Sequence, residues 1–145
     1  PASAWACSCR PDVSVQTEYK EAAAVFVGRI DSARQYPTAN DNPQYTTEEA
    51  VLLVERVWKG AKVGDRISIK SEMGPGPCGK SLKNDPMWLE FVPPTDEVKF
   101  ADTWLVFAHD KSPYELSLCS SHTVPTNLNG VDVIMRELDS LRKSN

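Results

Sequence analysis

The sequence predicts a mainly β protein with one helix near each end. Short runs of apolar and β-branched residues alternate with turn residues, which is typical of strands joined by hairpins. The 11 prolines and 7 glycines group between these runs, and helical spacing occurs in only two stretches. With 145 residues, 41% of them hydrophobic and 25% charged, the chain has the size and balance of one domain with one core.

Five runs have the composition and alternation of strands. They cover residues 24–34, 50–58, 66–70, 103–108 and 114–119. The polar stretch 36–45 predicts the tip of a hairpin between the first two strands, and Gly28 favours a bulge or bend in the first. Five short strands with hairpin connections are typical of a small closed or partly open barrel such as the OB-fold.

Two stretches predict helices that flank this barrel. Ser14 is a suitable N-cap for the helix formers at residues 15–23. Near the C-terminus, apolar residues recur at helical spacing from a start near Gly130, which predicts an amphipathic helix packed on the sheet. They are Val131, Ile134, Met135, Leu138 and Leu141.

The tryptophans divide into two pairs. Trp58 and Trp104 lie in predicted strands and are expected in the core. Trp5 and Trp88 lie in irregular segments, where exposure would indicate an interaction surface.

The four cysteines, Cys7, Cys9, Cys78 and Cys119, suit two long-range disulfides. Cys7 and Cys9 are too close to pair with each other, so each is expected to bond to a different distant cysteine. Disulfides indicate an oxidising compartment, so the protein is expected to be secreted or periplasmic. A four-cysteine zinc site is the alternative, and it is disfavoured because Cys78 and Cys119 are solitary.

The segment before Cys7 resembles a processing site. Ala4-Trp5-Ala6 has the Ala-x-Ala pattern that signal peptidase recognises. Residues 1–6 are therefore interpreted as a signal-peptide remnant or an N-terminal extension. Residues 7–145 are expected to form a single domain, and the mature protein is expected to begin at Cys7.

Charge and motif content disfavour several functions. The net charge of -4, with both signs interspersed, disfavours nucleic acid and anionic membranes as partners. No apolar run is long enough to span a bilayer. The only histidines, His109 and His122, are isolated in the sequence, and no Ser-His-Asp, Cys-His or glutamate-bearing zinc motif is present. Neither enzymatic activity nor a cofactor is expected.

Six motifs occur in an order that resembles the N-terminal, netrin-like domain of tissue inhibitors of metalloproteinases. The motifs are Cys7-Ser8-Cys9-Arg10-Pro11, Val25-Phe26-Val27-Gly28, Val57-Trp58-Lys59-Gly60, Cys78-Gly79, Trp104-Leu105-Val106-Phe107-Ala108 and Leu116-Ser117-Leu118-Cys119. The resemblance extends to about Pro125. It implies a five-stranded netrin-like OB-fold barrel with flanking helices, and the disulfides Cys7–Cys78 and Cys9–Cys119.

The resemblance also implies a mechanism of inhibition. The free α-amine and the carbonyl oxygen of Cys7 would chelate the catalytic zinc of a target endopeptidase in place of its water. Ser8 would enter the specificity pocket of the protease. The implied contact ridge comprises Cys7, Ser8, Cys9, Arg10 and Pro11 together with Met73, Gly74, Pro75, Gly76 and Pro77. Cys7 would contact metal only in trans, and only with a free N-terminus.

A second function is left open by the same residues. The netrin-like fold also suits a binding module whose N-terminus is purely structural. Its partner would be another extracellular or envelope protein, and it would have no inhibitory activity. The two hypotheses differ in whether a free amine at Cys7 matters.

Overall fold

The computed structural model describes residues 9, 13–38, 45–73, 79, 82, 102–109, 114–116 and 119–144. These residues form a mainly β structure with a helix at each end, as the sequence predicts. The elements are α1 (Val15–Glu21), β1 (Ala24–Pro37), β2 (Thr46–Lys59), β3 (Arg66–Met73), β4 (Thr103–Ala108), β5 (Tyr114–Glu115), β6 (Val124–Pro125) and α2 (Val131–Lys143).

The described strands form one curled sheet, a half-barrel, in the order β5-β3-β2-β1-β4-β6. Neighbours are antiparallel except for β3 and β5, which are parallel. The prediction of five strands is wrong for this part of the chain, which contains six. The sixth, β6, is two residues long and ends in a proline, so it has no periodicity to detect. The closed OB-fold barrel stays a prediction.

The hairpin of β1 and β2 is longer than predicted at its outer end. β1 continues to Pro37, although residues 36 and 37 were expected in the loop, and β2 begins at Thr46, four residues before its predicted start at Ala50. Its polar residues form strands because they pair across the ladder: the Gln35 side-chain amide donates a hydrogen bond of 3.3 Å to the Thr46 hydroxyl, and Arg34 bonds to Glu49. The ladder shifts register at Gly28, as the glycine predicts, and a Cβ there would lie 2.9 Å from the Cβ of Leu52.

Each face of the sheet packs against its own core. The inner, concave face is lined by Phe26, Leu52, Ile69, Trp104 and other buried residues. The outer face carries a second core, in which α1 and α2 cover Val25, Val27, Trp58, Leu105 and Phe107. Trp58 and Trp104 are therefore core residues, as predicted, whereas Trp5 and Trp88 lie outside the described residues.

Both helices begin and dock as their sequences indicate. Ser14 caps α1 by accepting a hydrogen bond from the Thr17 N–H at 3.1 Å. The amphipathic helix α2 is fixed through Asp139, which accepts bonds of 2.8 Å from the indole N–H of Trp58 and from Arg56. The Arg56 guanidinium also lies 4.7 Å from the centre of the Trp58 ring. One carboxylate thus attaches α2 to β2.

The docking of α2 is expected to weaken in acid. The Trp58 N–H, followed by Arg56, lowers the pKa of Asp139 below its ordinary value. The stability that Asp139 contributes is therefore present above the unfolded pKa of about 4 and is lost as the pH falls through the lowered folded pKa. When the pH is lowered from about 7 to about 2, the free energy of unfolding should fall less for Asp139→Asn than for the parent protein, as measured by urea unfolding. Asp132→Asn, exposed on the same helix, is the control and should behave like the parent.

Gly60 is expected to tolerate no side chain. Gly60 and Gly64 both have positive φ, at 71° and 92°. A Cβ on Gly60 would lie 2.0 Å from the carbonyl oxygen of Ala23, whereas a Cβ on Gly64 meets nothing within 4 Å. Gly64→Ala should reduce the free energy of unfolding by about 1 kcal/mol, and Gly60→Ala by about 3 kcal/mol or more. The measurement is denaturant unfolding. If the two variants lost the same free energy of unfolding, the close contact of the Gly60 Cβ with Ala23 would have no energetic cost, which would contradict the prediction.

Candidate functional site

A disulfide attaches Cys9, near the N-terminus, to the C-terminal half of the chain. Cys9 bonds to Cys119, with their Cα atoms 5.1 Å apart and a sequence separation of 110. This confirms the second of the two predicted disulfides. Closing a loop of this length stabilises the fold by about 4 to 5 kcal/mol in the chain-entropy model. A four-cysteine zinc site would need both sulfurs as thiolates, so the disulfide argues against that alternative.

A buried carboxylate lies next to this anchor. Glu18 of α1 is 3% exposed. Its Oε1 accepts a hydrogen bond of 2.6 Å from the Ser120 hydroxyl, and its Oε2 bonds to Nδ1 of His122. Nε2 of His109 lies 4.0 Å from Oε1. The two histidines that are isolated in the sequence therefore converge on one carboxyl group.

Further hydrogen bonds tie the same segment to the sheet. The Ser120 and Thr123 hydroxyl oxygens are 2.8 Å apart, and Thr123 accepts a bond of 2.9 Å from the Phe107 N–H of β4. The segment that carries Cys119 is thus held by α1 on one side and by β4 on the other. Because Cys9 is bonded to Cys119, the contacts that hold this segment also determine where Cys9 lies.

This cluster has the chemistry of a structural support. Ser120 and His122 both bond to Glu18, and the carboxylate lies between the Ser120 hydroxyl and the imidazole. The exposed Ser121 hydroxyl lies 3.4 Å from Nδ1 of His122, the same nitrogen that bonds to Glu18. Among the described residues, no group of three or more His, Cys, Asp or Glu side chains is arranged to hold a metal ion.

Sequence spacing could not reveal this cluster, because its members are about 90 to 100 residues apart. One local signal was present. Val15, Tyr19 and Ala22 define the buried face of α1, and Glu18 lies on that face. An acidic residue on a buried helix face requires a partner, and here the partners are hydroxyl and imidazole groups.

Most of the predicted contact ridge lies outside the described residues. This applies to Cys7, Ser8, Arg10, Pro11, Gly74, Pro75, Gly76 and Pro77, and to the Cys7–Cys78 disulfide. Two members are described. Cys9 is exposed at the disulfide, and Met73 ends β3 with 4% of its surface exposed. Whether the two halves of the ridge lie together stays a prediction.

A groove that the sequence analysis did not anticipate lies on the outer face of the sheet. It encloses about 530 Å³ over β1, β2 and β3, beyond the part covered by the helices. Ala33, Ala50 and Ile69 are among the lining residues, and their side chains belong to the inner core. The other lining residues have the opposite side-chain direction and are Ser32, Arg34, Glu49, Val51, Ser68 and Lys70.

One wall of the groove is a hydrogen-bonded network around Glu49. Its Oε2 accepts two bonds from Arg34, at 2.8 and 2.5 Å, and its Oε1 accepts one from the Tyr36 hydroxyl at 2.8 Å. The bond from Tyr36, followed by that from Arg34, lowers the pKa of Glu49. Partial burial, followed by the bond to Glu49, raises the pKa of Tyr36. The network therefore keeps Glu49 ionised and both of its oxygens occupied.

Comparison with protein-family models and with characterised proteins found no match to this chain. The resemblance to inhibitors of metalloproteinases therefore rests on the six sequence motifs alone. Within the described residues, no helix is long and apolar enough to cross a membrane.

Removal of the Glu18 carboxylate is expected to destabilise the anchor. Glu18→Ala removes the carboxylate that bonds to both the buried Ser120 hydroxyl and the His122 ring, and it leaves a cavity on the buried face of α1, which should reduce the free energy of unfolding by about 3 kcal/mol. Glu18→Gln should reduce the free energy of unfolding by less, since an amide oxygen can still accept a hydrogen bond from Ser120. The measurement is urea unfolding with the disulfide intact, and Glu137→Ala on the exposed face of α2 is the control. Equal losses in the Ala and control variants would contradict a supporting role.

Proposed function

We propose that the chain inhibits zinc endopeptidases by inserting its N-terminal segment into the protease cleft. The α-amine and carbonyl oxygen of Cys7 are the proposed zinc ligands, available when Cys7 is the first residue. Ser8 is the proposed occupant of the specificity pocket. The observation that carries the proposal is the Cys9–Cys119 disulfide, which attaches the segment to a rigid body.

Attachment at Cys9 limits how far the amine can move. Cys7 precedes Cys9 by two residues, so at most about 7 Å of chain separates the proposed zinc ligand from its anchor. A segment that is ordered before binding loses less conformational entropy in the complex. The contacts of Glu18 with Ser120 and His122 support this, because they hold the other partner of the disulfide.

The zinc chemistry requires a free amine. A catalytic zinc keeps an open position for water, and a neutral amine can occupy it. An α-amino group has a pKa near 8, so its lone pair is accessible at neutral pH, whereas an amide nitrogen has no comparable lone pair. The proposal places the protein in a secreted or periplasmic setting, where the disulfide is stable.

A second candidate is a protein-binding module whose N-terminus serves only as a structural attachment. The groove over Ser32, Val51 and Ser68 favours it, since this surface is independent of Cys7 and is open to a partner. The partner would be an extracellular or envelope protein. The two candidates give opposite results when the Cys7 amine is altered.

The test compares three forms of the protein against a panel of zinc endopeptidases. One form begins at Cys7 with a free amine, one retains residues 1–6, and one begins at Cys7 with the amine acetylated. Only the free-amine form should inhibit, and acetylation should weaken inhibition by about a thousandfold or more, because it removes one zinc ligand. The measurement is the inhibition constant from residual peptidase activity.

Acetylation is the matched control, since it keeps every side chain and both predicted disulfides. Mass spectrometry verifies that all forms are equally oxidised. Inhibition by all three forms would exclude the zinc-chelating amine. Absence of inhibition in every form would favour the binding module.

A further inference from the structure

A row of alternating charges crosses four strands on the outer face of the sheet. In register, Arg34 of β1 is opposite Glu49 of β2, Glu49 is opposite Lys70 of β3, and Lys70 is opposite Glu115 of β5. Tyr114 packs on the inner core, so Glu115 faces outwards with Lys70. The order of charges along the row is positive, negative, positive, negative.

The charged groups at the two ends of the row have atoms available for ion pairs with a second molecule. Glu115 is exposed and forms no ion pair within the described part of the chain. The Arg34 side chain is 72% exposed and uses Nε and Nη2 for Glu49, which leaves Nη1 without a protein partner among the described residues. Each end therefore presents a charge that a second molecule can bind.

The same row is complementary to itself. A two-fold axis parallel to the strands, passing between β2 and β3, brings the outer faces of two copies together. It places Arg34 opposite Glu115 of the other copy, and Glu49 opposite Lys70 of the other copy. A two-fold interface requires a surface that matches its own rotated image, and this row does so at all four positions.

We propose that this face is a dimer interface between two copies of the chain. Neither helix covers it, and Leu53 and Val51 of β2 are partly exposed near its centre. Four strands spaced about 4.8 Å apart and a strand length of about 20 Å give an interface on the order of 400 Å² per copy. An interface of this size is weak and wet, so dimers form at high protein concentration and low salt.

The test is sedimentation velocity with variants that reverse the terminal charges. Glu115→Arg places two arginines opposite each other at each end of the interface, and Arg34→Glu places two glutamates there. Each variant alone should dimerise at least about tenfold more weakly than the parent. An equimolar mixture of the two should recover dimers, because Glu at position 34 then meets Arg at position 115.

Glu137→Arg is the matched control, since it makes the same charge change as Glu115→Arg on the exposed face of α2. It should leave dimerisation unchanged, and circular dichroism verifies that all variants fold. A parent protein that remains monomeric at about 1 mM in low salt overturns the proposal. Dimers that Glu115→Arg does not weaken, or a mixture of the two variants that stays monomeric, also overturn it.

Discussion

The buried Glu18 carboxylate requires hydrogen-bond partners, and this requirement determines how α1 packs against the segment that follows Cys119. Glu18 lies on the buried face of α1, where an unpaired charge would destabilise the fold by several kcal/mol. Ser120 and His122 provide its partners, so the segment after Cys119 must pack against α1. Through the disulfide with Cys119, the same packing determines the position of Cys9.

β1 is the strand on which both cores depend. Its alternating residues contribute Phe26 to the inner core and Val25 and Val27 to the outer core, so it is buried on both faces in its first half. In its second half the helices no longer cover the outer face, and charged residues replace the apolar ones. The groove begins at this change. The same strand thus supports the core at one end and a solvent-exposed surface at the other.

Local sequence signals predicted the elements whose determinants are local. The Ser14 cap, the apolar spacing of α2 and the β-branched runs located the helices and the major strands. The features that were missed depend on distant neighbours. β6 is held by β4, the outer end of the hairpin by cross-strand pairs, and Glu18 by histidines about 90 to 100 residues away. The Cys9–Cys119 pairing came from the resemblance, because spacing alone left the partners open.

A single extra residue decides which side chains form the charged row. Ile30 pairs with Leu52 and Ser32 with Val51, so Asp31 is an additional residue in β1. Since side chains alternate between faces, this bulge reverses the alternation, and Arg34 points outwards instead of into the core. Asp31 also forms an ion pair with Arg66 of β3. Without the bulge, Ala33 would face solvent, Ser32 would lie opposite Ala50, and Arg34 would point inwards opposite the buried Glu48. The bulge therefore keeps Ser32 and Arg34 out of the inner core and places the Arg34 charge on the surface.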